Sequence, residues 1–231
     1  MRQARRFYKT VAVTPERGIA LDGKPVKTPK KVLLVLPTQE LAQAVAVEWE
    51  VQGEKINPAT MLLTKLANTA IDRVGSEKAR ILAEMADYAA SDLVCYRADR
   101  PPDLVARQDS HWNPVIAWAS TALDALFVAT PGVMHRPQPP EVLHAVGSTM
   151  AALNNYEIAA LHNIMTITGS ALIALMLARG QLSADAAWAA AHVDEDFQIG
   201  NWGEDAEAAH RRAARYKEFV SCCRFLQLCR E

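Results

Sequence analysis

The stretch FYKTVAVTPERGIALDGKPVKTPKKVLLVLP, Phe7–Pro37, decides the fold class. Apolar and polar residues alternate along it, as they do when successive side chains point to opposite faces of a strand, and Pro15, Gly18, Asp22, Gly23 and Pro29 punctuate it. Asp22-Gly23 stands between Ile-Ala-Leu and Lys-Pro-Val. Both residues tolerate positive φ, so the pair predicts a tight hairpin and the whole stretch an antiparallel meander. GIALDGKP, Gly18–Pro25, nearly spells a phosphate-binding loop. Pro25, however, has no hydroxyl for magnesium and no amide for phosphate, and a hairpin is not the strand-to-helix context that such loops occupy. No nucleotide site is expected there.

Outward from this stretch the signals become helical. Thr38 is placed to cap a helix in which Leu41, Val45 and Trp49 recur every fourth residue, until Gln52-Gly53 ends it. The apolar segment from Met61 toward Ile71 fits either a strand or a helix. Ser76 is expected to cap a helix through Tyr88 to about Tyr96, and further helices follow over Gln108–Phe127 and from Glu141 to about Leu153, with Pro131, Gly132 and Pro137–Pro140 in a linker between them. A long helix then runs from Asn154-Asn155 to Gly180, which sits where a helix-ending glycine belongs. Ser183 begins another, Gly200 and Gly203 bracket a break, and a last helix starts at Glu204. The expected class is α+β: an N-terminal α+β domain over residues 1–95 and a helical domain over residues 96–231.

Composition narrows the function. The 231 residues are half apolar, enough for a packed core, and the net charge is −1, without the basic balance of a nucleic-acid binder. The one basic cluster, MRQARRFYK at the start, runs into Tyr8, Lys9 and Thr10 rather than an apolar core, which argues against an export signal. The longest apolar run, Ile164–Ala178, contains Thr166, Thr168, Gly169 and Ser170 and is shorter than the roughly 20 residues of a bilayer span. It reads as a buried core helix, with no membrane insertion. Cys95, Cys222, Cys223 and Cys229 suit neither a disulfide framework nor zinc spacing, and free thiols point to a reducing compartment. Histidines 111, 135, 144, 162, 192 and 210 are scattered; His192 and Asp196 could share a helix face as an ion pair, but two ligands do not make a metal site. Neither a metal, a cofactor nor a nucleophile is indicated.

The remaining oddity is DEDFQIGNWGEDAE, Asp194–Glu207, six acids and one tryptophan without a base. A carboxylate active site, an acidic surface for a partner and a solvated helix junction are the three readings. Trp202, at a glycine-bracketed break among acids, has the composition of a recognition anchor, although most tryptophans are core.

Several blocks together resemble one family: FYKTVAV, ALDGKPVKTP, LPTQELAQAVAVEWEVQG, MLLTKLANTAID, SDLVCYRA, DEDFQIGNWGEDAEA and the closing FLQLC are similar to the ATP synthase assembly chaperones of bacteria and mitochondria, the ATP-twelve family. The resemblance implies a monomeric, non-enzymatic chaperone that binds the unassembled α subunit of the F-type ATP synthase head and prevents its aggregation until α pairs with β, in the bacterial cytoplasm or the mitochondrial matrix. The acidic positions it implicates fall on Glu195, Glu157 and Glu207, and Trp202, Phe197 and Gln198 would complete the partner-binding surface. The rival expectation is a small enzyme using a carboxylate cluster near Trp202; a close cluster of Glu157, Glu195 and Glu207 in a deep pocket would favour it.

Overall fold

The computed structural model describes residues 4–132, 134 and 136–230, so Met1–Gln3 of the basic run and His135 lie outside the described residues. The chain forms two compact units: one holds residues up to Lys78 with Asn154–Ala160 and Val220 onward, the other Ala79–Leu153 with Leu161–Phe219. The class is α+β, with a small antiparallel sheet near the N-terminus followed mainly by helices.

In the first unit β1 (Val11–Val13), β2 (Ile19–Leu21) and β3 (Lys24–Pro25) pair antiparallel in the order β1-β2-β3. Asp22 and Gly23 turn between β2 and β3 with φ of 48° and 75°, the double positive φ that an Asp-Gly pair supplies. The Asp22 carboxylate also accepts from the amides of Lys9 and Thr10 and from the Thr10 hydroxyl, which ties the turn to the preceding strand. α1 (Gln39–Glu50) begins at Thr38, whose Oγ1 accepts from the Leu41 amide at 3.1 Å and donates to the Leu228 carbonyl. α1 packs on β1 and β2, and Leu41 and Val45 of α1, Ile19 of β2, Leu34 and Leu36 are all buried, while Leu21 clusters with Tyr8, Ile56 and Met61.

The segment from Met61 is a helix. α2 (Leu62–Thr69), a π turn (Ala70–Val74) and α3 (Gly75–Ala90) follow one another directly; Gly75 is helical at φ −55°, and the run kinks two residues later at Glu77, at φ −129° and ψ 20°. Ser76 therefore does not cap a helix; its hydroxyl donates back to the carbonyls of Asp72 and Arg73 one turn earlier. No cap hydrogen bond comes from Met61 at the start of α2. Glu48 of α1 does that work: its carboxylate accepts from the amides of Leu63 and Thr64 and the Thr64 hydroxyl, each at 2.8 Å. Burial pushes the Glu48 pKa up while those bonds pull it down.

In the second unit β4 (Tyr96–Arg97) pairs parallel with β5 (Thr130–Pro131), and the helices are α4 (Pro102–Ala122), α5 (Pro140–Ala151), the larger part of α6 (Asn155–Thr168), α7 (Ala171–Ala178), α8 (Ala184–Ala191), α9 (Val193–Trp202) and most of α10 (Ala206–Leu228). The expected long helix ending at Gly180 is two helices. Gly169, at φ 70°, reverses the chain, and Ser170 caps α7 by accepting from the Ile173 amide at 3.0 Å. Helix α7, ALIALMLA, is apolar all round and packs against α4 and α8. No helix among the described residues is long and apolar enough to cross a membrane.

Asp92, wholly buried, fixes the start of α7. Its carboxylate accepts from the amides of Leu172 at 3.0 Å and Val94 at 3.2 Å, while the neighbouring Leu93 amide donates to the Gly169 carbonyl at 3.1 Å. Burial dominates and raises the Asp92 pKa from its ordinary 3.8 to about 6. Between these values the folded protein holds more protons at this site than the unfolded chain, so the Asp92 contribution to stability is fully present below about pH 4 and is lost as pH rises through about 6. The stability gap between the wild type and Asp92→Asn should accordingly narrow by about 2 kcal/mol from pH 4 to pH 7 in urea unfolding, and a constant gap would contradict it. Glu48→Ala, which strips the start of α2, should cost about 1–3 kcal/mol by the same measurement.

Candidate functional site

Helix α9 carries four of the six residues singled out in the sequence. Glu195, Gln198 and Trp202 are spaced three and four apart and so share one face. Trp202 is 77% exposed at the last turn, and Gln198 is exposed beside it. Gly203, at φ 84°, ends the helix; Gly200 is an ordinary helical residue and brackets nothing. Asp205 then caps α10, accepting from the Ala208 amide at 2.8 Å. The break before α9 falls instead at His192, between α8 and α9.

The acids are compensated from outside the segment. Arg212 of α10 reaches back to both Asp196 and Glu195, with its Nη1 3.5 Å from the Glu195 carboxylate. Its own side chain is 18% exposed, against 39% for Glu195 and 43% for Asp196, so the clamp is a sheltered cation beneath half-open carboxylates. Asp194 accepts from the Gln108 side-chain amide at 2.7 Å, and the other end of that buried amide accepts from Ala98 N at 2.7 Å. The Arg107 guanidinium lies 5.4 Å from the Phe197 ring centre, which places Phe197 against α4. His192 stacks on Trp188 at 3.7 Å and its Nδ1 lies 2.8 Å from the Trp188 carbonyl, so it faces Glu195 at 4.0 Å rather than pairing with Asp196. Burial pushes the His192 pKa down, against the pull of Glu195, and keeps the ring neutral at pH 7.

Glu207 is exposed on the first turn of α10 and pairs with Arg211 one turn on. Glu157 belongs to the first unit and is buried. Asn154 Oδ1 accepts from the amides of Tyr156 and Glu157, and the Glu157 carboxylate accepts from Asn154 N at 2.9 Å, a reciprocal capping box at the start of α6. Its other oxygen meets Arg230 at 2.7 Å. Among the described residues no group of three or more His, Cys, Asp or Glu is arranged to hold a metal. All four cysteines are free and buried, and burial pushes Cys95, Cys223 and Cys229 up to about 12, far from thiolate chemistry at neutral pH. Sequence reasoning missed Arg212, Arg107 and Gln108, because their pairings with α9 join residues on different helices and no local spacing encodes them.

Three comparisons with known proteins agree. Residues 5–120 match the family model of the ATP12 chaperone protein. The fold matches the crystal structure of Atp12 from Paracoccus denitrificans with a TM-score of 0.93 and 40% identity, over 98% of this chain and 99% of that one. A protein of Agrobacterium tumefaciens matches with a TM-score of 0.92 and 43% identity, over 98% and 86%. The mitochondrial protein atp12 of Schizosaccharomyces pombe is 23% identical over 219 residues, 87% of this chain and 75% of that protein.

The Arg212 clamp can be tested directly. Arg212→Met keeps most of the side chain's bulk but leaves Glu195 and Asp196 facing each other, and should lower stability by about 1–2 kcal/mol at low salt, since the half-exposed acids are partly hydrated. The loss should shrink as salt is added. Thermal melts at two ionic strengths check this; equal melting of the two proteins at low salt would show that the clamp is idle.

Proposed function

The chain belongs to the ATP12 chaperone family, and we propose that it binds the unassembled α subunit of the F-type ATP synthase head, prevents its aggregation, and releases it as α pairs with β. The family is one of chaperones rather than enzymes, which sets aside the carboxylate-enzyme alternative. Family membership is the observation that carries the reading. On it, the α9 face supplies the contact: Trp202 is the apolar anchor, and Glu195, Gln198 and Glu207 form a polar rim that aligns a basic surface of the partner. Phe197 holds α9 against α4, and Glu157 acts at a distance by capping α6. The protein would work as a monomer, without a cofactor, in the bacterial cytoplasm or, in a eukaryotic cell, in the mitochondrial matrix.

Co-expression with tagged α and β subunits tests the proposal. Free α should be captured and the completed head should not; equal recovery of both would sink it. Trp202→Ala should weaken capture of α about 30-fold, the loss expected of an anchor residue, with little change in melting because the side chain is exposed. Glu195→Lys sets a second cation beside Arg212, so its binding should be read alongside its melting curve. Unchanged capture by both variants would remove the α9 face from the contact.

A further inference from the structure

In the second unit a cavity of about 360 Å³, within the range of ligand sites, opens between α8, α10 and the turn that joins α9 to α10. Ala209 and Ala213, one turn apart on α10, leave the room for it. Trp188 of α8 and Tyr216 of α10 wall it with rings that meet edge to face at 4.9 Å, and Trp188 is itself held by stacking on His192 at 3.7 Å and by Phe219 at 5.4 Å. The aromatic wall is therefore preformed.

Two carboxylates reach the same cavity, Asp185 from the first turn of α8 and Glu204 from the turn before α10, and both residues are exposed. The Tyr216 hydroxyl donates to Asp185 Oδ1 at 3.0 Å, which leaves Oδ2 without a partner among the described residues. Glu204 has no internal partner at all: neither a hydrogen bond nor an ion pair engages its carboxylate among the described residues. The other five acids of Asp194–Glu207 each have one. One cation, Arg212, also lines the cavity, with its guanidinium 5.9 Å from the Trp188 ring centre. Glu195 and Asp196 already hold it, so four carboxylates stand here against one guanidinium, and Arg215, which donates to the Ile167 carbonyl, is not part of the wall. The balance favours a basic ligand.

We propose that this cavity is a site for an arginine side chain of a client polypeptide. The stem and the flat guanidinium lie against Trp188 and Tyr216, and the guanidinium N–H groups donate to Asp185 Oδ2 and to the Glu204 carboxylate. Arginine suits the site better than lysine, because its planar fork can donate to carboxylates on two elements at once and it is the more weakly hydrated cation beside aromatic rings. Glu204 stands two residues after Trp202, so the site continues the α9 face. The proposal rests on the chaperone reading only in taking a polypeptide as the source of the arginine.

The probe is N-acetyl-arginine N-methylamide, titrated into the full-length ¹⁵N-labelled protein. The Trp188 indole N–H signal, assigned by its loss in Trp188→Phe, and the Gly203 and Glu204 amide signals should shift saturably together, and added salt should weaken the binding. Glu204→Gln, which breaks no internal bond, and Asp185→Asn, which keeps an acceptor for Tyr216, should each weaken it about threefold with melting curves unchanged. The citrulline compound, with a similar shape and no charge, and the lysine compound should both bind more weakly than the arginine compound. Signals that the probe leaves in place overturn the proposal, as does equal binding by Glu204→Gln, or equal binding of the citrulline or the lysine compound by the wild type. Capture of α with a failed titration removes this site alone, and a successful titration without capture removes the α reading alone.

Discussion

A carboxylate with no solvent access, Asp92, is the constraint on which the second unit depends. An ionised group in such a place is costly unless donors surround it, and Asp92 finds them at the amides of Val94 and Leu172. These donors come from two parts of the chain, the turn after α3 and the first turn of α7. Holding both positions the apolar helix α7 against α4 and α8. A helix that is apolar on every side has no amphipathic stripe to orient it, so packing alone leaves its rotation and register weakly specified. The polar contacts at its N-terminus supply that information, and the hydrophobic burial around it supplies the stability.

The same division of labour recurs at α9. Its acids are held by side chains from α4 and α10, Gln108 on Asp194 and Arg212 on Glu195 and Asp196. Each partner is more buried than the acid it holds, so the helix is anchored from beneath and leaves its outer face, with Trp202 and Gln198, clear. Tryptophan is usually consumed by the core, as Trp112 is here, with its indole donating to the Ala190 carbonyl at 2.7 Å. Trp202 has no such burial. Its exposure at the end of a well-anchored helix separates it from the four other tryptophans.

The sequence was most legible where backbone geometry restricts residue choice. Asp22-Gly23 gave the hairpin because a tight turn needs two positive φ values, and Thr38, Gly180 and Ser183 stood where helix ends need them. The break expected at Gly75-Ser76 is a kink at Glu77, with Gly75 itself helical, because glycine is permissive rather than obligatory at a helix end. Gly169 and Ser170 read only as polar interruptions of one helix, not as a helix end and a cap, because the apolar run continues on both sides of them. Strands β4 and β5 have two residues each, too short for any periodicity. The acidic segment was legible as a feature but not as a structure: its net charge could be counted, while Arg212, which neutralises part of it, is 16 residues from Asp196 and joins it only through the packing of α10 beside α9.

That internal arginine bears on how a partner could be both held and released. A basic group approaching Glu195 must share a carboxylate that Arg212 already stabilises, so the new pair gains less than one formed with an isolated acid. When the partner leaves, Glu195 keeps its internal cation, and no unpaired charge remains to resist departure. If the α9 face is the contact we propose, its charge would favour encounter and orientation over depth of binding, while the area of Trp202 would set the affinity. On that proposal, such a surface would suit a client that must later exchange its chaperone for a permanent neighbour, because the acids of the free chaperone already have an internal cation.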